Sequence, residues 1–200
     1  MHLRRRIGLV VVVIAGLGLA TAARAEWVII PPRAGQVGLS IQGQYGQLLP
    51  GNVGDDYDNG PGLAVRLRYR MRYERAMGLS FESQRFNTQT PTVDDTLPNH
   101  TTFYMYGLDV YQMFDTRSKT TKMLGVGLGL CQSRLSLNDG EIQFENSDDG
   151  IYLTAIGGLE RFFWQSWAID LSARYYAAFL GGQINHDLQA SLGIIFYASY

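Results

Sequence analysis

The sequence predicts an all-β fold, an eight-stranded antiparallel up-and-down transmembrane β-barrel. The first observation is the stretch 62–73, in which apolar side chains alternate with four arginines at positions 66, 68, 70 and 72. A period of two is typical of an extended strand with two different faces, and on a helix these residues would leave no coherent apolar face. The second observation is that seven more segments of roughly ten residues alternate similarly, which is the length a tilted strand needs to cross a bilayer.

The first 25 residues are predicted to be a cleaved signal peptide. Three arginines at 4–6 precede an apolar run over 7–20, and small residues flank a cleavage point after Ala25. The alternative is an N-terminal membrane anchor, which the short apolar run and the small-residue site disfavour. Removing the leader takes away four of the 17 Lys and Arg residues and leaves 13 against 18 Asp and Glu, a net charge of −5. This charge argues against nucleic acid as a partner.

The rest of the chain divides into a lead-in and the barrel. Residues 26–35, with Pro31 and Pro32, are predicted to be an extended lead-in, and 36–200 the barrel. Connections rich in Pro, Gly, Asn and Asp alternate between long and short. An even strand number then puts both termini at the short-turn end. The predicted strands are 36–47, 62–73, 77–87, 101–114, 122–134, 151–161, 167–176 and 187–200, the short turns 74–76, 115–120 and 162–166, and the long loops 48–61, 88–100, 135–150 and 177–186.

The first four strands each carry apolar side chains on one parity. In strand one they alternate with Gln and Ser, in strand two with arginine, and in strand three with Ser, Glu and Gln. Strand four alternates tyrosine and aliphatic residues with Gly107 and Asp109. The apolar parity consists of Val37, Leu39, Ile41, Gly43 and Tyr45, then Leu63, Val65, Leu67, Tyr69, Met71 and Tyr73, then Leu79 and Phe81, and then Tyr104, Tyr106, Leu108 and Val110.

The last four strands repeat the pattern with smaller residues on the polar parity. Strand five alternates aliphatic residues with three glycines and Cys131, and strands six to eight alternate them with Gly, Ser, Thr and charged residues. Cys131 is the only cysteine, so no disulfide within the chain stabilises the fold. The apolar parity consists of Leu124, Val126, Leu128 and Leu130, then Leu153, Ala155, Gly157 and Leu159, then Trp167, Ile169, Leu171, Ala173 and Tyr175, and then Leu188, Ala190, Leu192, Ile194, Phe196, Ala198 and Tyr200.

The apolar faces are predicted to point outwards, into lipid. A soluble barrel of the lipocalin type would show the same alternation with its apolar face inwards. Glycine is frequent on the polar parity, however, and small residues suit the narrow interior of eight strands. Aromatic residues also cluster near strand ends, as at 162–167 and 175–179, which is typical of the girdles at membrane interfaces.

From about Gln36 to Tyr200 the chain resembles the small eight-stranded outer-membrane barrels, the group that contains the OmpA membrane domain, OmpX and OmpW. In that group the last strand commonly ends in an aromatic residue that the assembly machinery recognises, and Tyr200, with Phe196 on its parity, matches this. The resemblance implies insertion by the barrel-assembly machinery into the outer membrane of a Gram-negative cell. Lipid and lipopolysaccharide are then the surroundings, and both termini are expected in the periplasm.

A lumen network of charged side chains is predicted on the polar parity. Pairing strands two and three about Arg75 predicts Arg68 opposite Glu82, and buried charges need such partners. The network is interpreted as a structural plug, and an anion-selective passage is the alternative. Its predicted members are Arg66, Arg68, Arg70, Arg72, Glu82, Asp109, Glu160, Asp170 and Arg174.

The long loops are acidic. They hold ten of the 18 acidic residues and, within the predicted limits, no Lys or Arg. Clustered carboxylates favour hard divalent cations, whereas the simpler interpretation is that charge keeps the loops hydrated. The candidate cation-binding residues are Asp55, Asp56, Asp58, Asp148 and Asp149.

Catalysis is not expected. His100 and His186 lie in predicted loops without a serine at close spacing, no metal-ligand spacing is present, and no cofactor is predicted. The sequence therefore predicts a barrel of structural or surface-interaction type with acidic extracellular loops. A narrow channel for small or apolar solutes is the alternative, and an enzyme that modifies lipid A or phospholipid is the third hypothesis.

Overall fold

The structure, a computed structural model, describes residues 32–49, 59–87, 100–139 and 142–198, without the side chains of 135–139 and 142–146. The predicted leader and Tyr200 lie outside these residues. Eight antiparallel strands form one closed ring in sequence order. The strands are β1 Val37–Leu48, β2 Gly60–Arg72, β3 Arg75–Asn87, β4 His100–Phe114, β5 Thr120–Asp139, β6 Ile142–Trp164, β7 Trp167–Leu180 and β8 Gln183–Ala198.

The ring closes by pairing of the first strand with the last. Residues Val37 to Leu48 of β1 pair with Ala198 to Asp187 of β8. The start of β1 and the end of β8 therefore lie at the same end of the barrel as the turns β2–β3, β4–β5 and β6–β7. We call this the short-turn end and the opposite one the loop end. The predicted all-β, eight-stranded antiparallel barrel is confirmed.

The two faces of the barrel have opposite polarity, as the alternation predicts. Large apolar side chains point outwards, and Val126 and Leu130 are 65% and 63% exposed. Arginines point inwards, and Arg66 is only 2% exposed. No helix in the described part of the chain has the length and apolar character needed to cross a bilayer.

Two of the predicted long loops are wrong. Most of 135–150 is strand, because β5 and β6 continue as a paired hairpin from Leu135–Asn146 to Asp139–Ile142. The segment 177–186 is also mostly strand, since β7 and β8 are joined by the two-residue turn Gly181-Gly182. Both glycines have positive φ, at 55° and 78°, which is the conformation that a tight hairpin of this twist requires.

The predicted register between β2 and β3 is also wrong. The turn consists of Tyr73 and Glu74 and is not centred on Arg75, so Arg68 lies opposite Gly78 instead of Glu82. Glu82 lies opposite Ala64. An irregularity between Arg70 and Arg72 shifts the pairing further. Since the alternation fixes only which face a residue occupies, a register shift of four leaves that pattern unchanged.

Candidate functional site

Four arginines are buried inside the barrel. Arg66, Arg68 and Arg70 come from β2 and Arg174 from β7, and each is at most 2% exposed. Their spacing of two residues along β2 places all three on one face of that strand. Guanidinium groups at such depth require acidic partners, and the interior supplies them in two groups.

The first group lies towards the short-turn end and is centred on Glu160 of β6. Both Arg68 and Arg70 form ion pairs with its carboxylate. Tyr197 of β8 donates a hydrogen bond of 2.6 Å to Oε1 of Glu160. Arg68 makes a second ion pair of 3.1 Å with Asp170 of β7. Arg70, by contrast, forms an ion pair with Glu160 and with no other carboxylate among the described residues.

The second group is centred on Glu82 of β3 and Asp109 of β4. Arg66 pairs with Glu82 at 3.0 Å, and Arg174 pairs with Glu82 at 3.4 Å and with Asp109 at 2.9 Å. Tyr176 donates a hydrogen bond of 2.8 Å to Glu82. The group links β2, β3, β4 and β7, so it joins walls that are not neighbours in the ring.

Eight of the nine residues predicted for the lumen network therefore come together, and Arg72 does not. Arg72 is exposed at the end of β2, after the irregularity that follows Arg70. It lines an open cavity of about 890 Å³ at the short-turn end with Arg75 and Arg117. The prediction that Arg72 belongs to the lumen network is wrong, because this residue follows a pairing irregularity and is exposed at the end of β2.

Aromatic and apolar side chains pack inside the barrel on both sides of the ion pairs. The sequence reasoning missed them, although they stand on the same parity as the buried charges. At the loop end the cluster consists of Leu48, Phe86, Phe103, Met105, Cys131, Tyr152, Tyr176, Ala178 and Leu180. At the short-turn end two clusters consist of Ala76, Tyr111, Met113, Met123 and Ile156, and of Phe162, Ala168, Ile195 and Tyr197.

The predicted cation-binding residues are only partly described. Asp55, Asp56 and Asp58 lie outside the described residues. Asp148 and Asp149 are exposed on the extended β5–β6 hairpin. As consecutive strand residues they point to opposite faces, and Asp149 accepts a hydrogen bond of 2.9 Å from Gln132. The structure therefore does not bring these two carboxylates together.

The two candidate histidines lie on or near the outer surface. His186 stacks on Tyr175 and forms a hydrogen bond of 2.7 Å with its hydroxyl. The adjacent Asp187 points inwards, so it does not orient His186. His100 stands at the loop end of β4, where partial burial and Arg85 hold its pKa below the usual value of 6.5. Among the described residues, no three His, Cys, Asp or Glu side chains converge as a metal site would require.

The predicted assembly signal lies at the end of β8. Tyr200 is outside the described residues. Phe196 is partly exposed on the outer face and packs against Trp167, with ring centroids 4.8 Å apart. These two rings stand in the outer belt of aromatic residues near the short-turn end.

Comparison with known families gives one match that covers most of the chain. Residues 9–196 match the family described as the outer membrane protein beta-barrel domain. No curated protein matches the chain in sequence.

Several solved structures share the fold. Neisserial surface protein A is similar at a TM-score of 0.62 and 15% identity, over 80% of this chain and 96% of that protein. Ail of Yersinia pestis, in complex with the heparin analogue sucrose octasulfate, gives a TM-score of 0.58 and 18% identity, over 82% and 99%. OprG of Pseudomonas aeruginosa gives 0.56 and 13%, over 86% and 100%. All three are small outer-membrane barrels, and the similarity to them is one of fold.

Proposed function

Since the chain belongs to the outer membrane protein beta-barrel family and is a small barrel of the bacterial outer membrane, we propose that it is a closed structural and surface-interaction barrel. In this proposal the interior holds the walls together and the loop end meets the outside of the cell. Both termini then lie in the periplasm, and the barrel-assembly machinery inserts the chain.

One observation carries the proposal of a closed interior. Arg68 and Arg70 of β2 pair with Glu160 of β6, and β6 stands directly across the eight-stranded ring from β2. An ion pair between opposite walls occupies the middle of the lumen. The apolar clusters above and below it leave little room for a hydrated ion, since an eight-stranded barrel is just wide enough for its side chains.

Planar-bilayer recording tests this proposal. The wild-type barrel is expected to give no steady ionic current at moderate voltage. A variant with Arg68→Ala, Arg70→Ala and Glu160→Ala removes the crossing side chains and is expected to conduct. The matched control is Arg72→Ala with Arg75→Ala, which changes exposed charge only. A stable wild-type current equal to that of the variant would instead support the channel alternative.

The charge of the loops favours a cationic partner. Ail, a neighbour in fold, was solved with a polyanionic heparin analogue. The long-loop segments of this chain, as delimited from the sequence, are acidic and lack Lys and Arg, so we expect repulsion of such a ligand. We propose that the loop end interacts with basic groups or with divalent cations that bridge it to lipopolysaccharide.

Calcium titration tests the cation part of this proposal. Ca²⁺ is expected to raise the Tm of the wild-type barrel, with saturation at roughly millimolar concentration. Replacing the three aspartates 55, 56 and 58 with Asn should weaken the response. Replacing Asp148 and Asp149 with Asn serves as the comparison, because these two point to opposite faces. An unchanged response in the first variant would leave hydration of the loops as their only role.

The proposal assigns no catalytic step to this barrel. The described parts of both histidine environments offer no serine hydroxyl in hydrogen-bond contact. Lipid A and phospholipid from a deletion strain are expected to be unchanged in acylation. A change that returns to normal with the wild-type gene and not with a His100→Ala or His186→Ala variant would support the enzyme hypothesis.

A further inference from the structure

Two arginines face each other at the short-turn end of the barrel. Arg72 of β2 lies directly opposite Arg75 of β3, and both side chains are exposed. Like charges that stand opposite each other on neighbouring strands destabilise a sheet. Neither guanidinium forms an ion pair with any described residue. This pair of positive charges therefore favours an anion as its neighbour.

The pairing irregularity before Arg72 places both arginines on the outer face. Ala76 is buried inside the barrel, so the preceding residue, Arg75, points outwards. Arg70 is buried and lies opposite Ala76, and the next pair along the strands is Arg72 with Arg75, so β2 contains one extra residue here. Such an insertion changes the face that the following side chain occupies. Arg72 therefore shares the outer face with Arg75.

The outer apolar band of the barrel ends at the level of this pair. On β3 the outward residue Met77 is apolar and exposed, and the next outward residue is Arg75, which lies opposite Gln112 of β4. Tyr73, which follows Arg72, is 50% exposed. Tyrosine is enriched in the headgroup region, where the apolar band of a membrane barrel ends. The two arginines therefore stand at the depth of the phosphate groups of a bilayer.

An open cavity of about 890 Å³ lies against the two arginines. Its other side is the β4–β5 turn, which contributes Asp115, Thr116, Arg117 and Ser118. Asp115 already forms an ion pair of 2.8 Å with Lys122. Arg117 forms no ion pair with any described residue and is exposed. The cavity therefore has a third guanidinium that no carboxylate of the described chain neutralises.

The two turns around the cavity carry an excess of positive charge. The segments 72–75 and 115–122 hold five Lys and Arg residues against two acids, which gives a net charge of +3. The second acid, Glu74, lines the cavity but forms no ion pair with its arginines. The long-loop segments at the opposite end are acidic. An anion is therefore attracted to the short-turn end and repelled from the loop end.

We propose that Arg72, Arg75 and Arg117 bind the phosphate group of an anionic phospholipid whose acyl chains lie along the outer face of β3 and β4. A planar guanidinium donates two parallel hydrogen bonds to phosphate oxygens, which makes arginine well suited to this ligand. Met77 and Val110 lie opposite each other on the outer face beside the site and offer apolar surface to the chains. The inference rests on the proposed function only for the leaflet, which is the periplasmic one if the short-turn end faces the periplasm.

Native mass spectrometry of the refolded full barrel in a neutral detergent tests the site. The barrel is titrated with phosphatidylglycerol, which is anionic, and with phosphatidylcholine, which is zwitterionic. Phosphatidylglycerol is expected to bind with the lower Kd. Arg75→Gln should raise this Kd about fivefold, the contribution of one arginine beside an anionic lipid. The matched control is Arg85→Gln, which removes an exposed arginine from the outer face of the same strand at the loop end and should leave the Kd unchanged.

Thermal unfolding gives a second readout. Without lipid, Arg72→Gln removes the contact between like charges, so its Tm is expected to be no lower than that of the wild type. Phosphatidylglycerol is expected to raise the Tm of the wild type by about 4 °C per tenfold increase above the Kd. The Tm of Arg72→Gln should rise less, because the lipid loses one of its arginines. A purely structural role of Arg72 would instead lower the Tm of this variant equally with and without lipid.

Two results would overturn the proposal. The first is an equal wild-type Kd for phosphatidylglycerol and phosphatidylcholine, which would leave the three arginines to a soluble acidic partner. The second is an equal rise of the Kd in Arg75→Gln and Arg85→Gln, which would mean that the lipid responds to total charge and not to the cavity. Both measurements are independent of the lumen and of the orientation in the membrane. A steady wild-type current in the bilayer recording would therefore refute the closed interior without affecting this site.

Discussion

Replacing Glu160 with Gln should destabilise the barrel more than replacing Asp170 with Asn, the other acid of the Glu160 group. Glu160 is the only described carboxylate paired with Arg70, and Arg70 is 1% exposed. The substitution keeps the shape of the side chain and leaves this guanidinium buried without a counter-charge. Removing one partner of a buried ion pair costs on the order of 3–5 kcal/mol.

Asp170→Asn is the matched comparison. Among the described residues, Asp170 pairs only with Arg68, and Arg68 retains Glu160 when Asp170 is neutralised. The loss is then that of one charged hydrogen bond, about 1.5 kcal/mol. Glu160 and Asp170 are both fully buried. The difference in stability loss between the two variants therefore depends on whether the arginine keeps a carboxylate partner, and not on how deeply the acid is buried.

A double-mutant cycle with Arg70→Met isolates the interaction. With Arg70 removed, Glu160→Gln leaves no unpaired charge, since Arg68 keeps Asp170. The double variant should therefore be more stable than the sum of the two single losses predicts, with a coupling of ~2 kcal/mol. Urea unfolding of the refolded barrel, followed by tryptophan fluorescence, measures all four free energies. Equal losses for Glu160→Gln and Asp170→Asn, with coupling near zero, would show a hydrated lumen and refute the reasoning.

Three further predictions concern the ends of the barrel. Gly182→Ala should lower the free energy of unfolding in urea by about 1–2 kcal/mol, because Gly182 has positive φ. Gly181→Asn should lower it less, because asparagine accepts this conformation more readily than alanine. Equal losses would contradict the turn geometry. Deleting Tyr200 should reduce the heat-modifiable form in outer membranes without lowering the stability of the refolded barrel, and normal assembly would remove its role as a signal. NMR titration of His100 should give a midpoint below pH 6.5. The stability of the barrel should therefore fall as the pH drops from 6.5 through this lowered pKa, because the unfolded chain then binds the proton more readily. Arg85→Gln should raise the pH of the His100 titration midpoint.

The sequence periodicity is sufficient to predict which face of a strand each side chain occupies, but it does not predict the register between strands. Arg68 and Glu82 were correctly placed in the interior, because alternation alone decides which side a residue occupies. Their pairing was wrong because it depends on which residues form the turn, and Tyr73-Glu74 carries no Gly or Pro to mark it. Glu160 belongs to a distant strand, and only closure of the ring brings it to Arg68 and Arg70.

The loop end was harder to predict than the middle of the barrel. The prediction of a loop over 177–186 is wrong, because Gly181-Gly182 between two alternating segments is itself a hairpin signal. The hydroxyls of Tyr176 and Tyr197 share the parity of the charged residues, yet aromatic residues near strand ends resemble an interfacial girdle equally well. Parity was the better guide, because both tyrosines point inwards and bind carboxylates.

The pairing of β1 with β8 also determines how the barrel can form. Its twelve residue pairs join the beginning of the described chain to its end, so the seam has the highest sequence separation in the molecule. Such contacts form slowly, because the chain loses the entropy of a long loop before the seam stabilises it. Until β8 arrives, β1 keeps an open edge that another chain can pair with. A product truncated before Gln183 is therefore an aggregation-prone open sheet instead of a smaller barrel, and an exported chain must be protected until its last strand is in place.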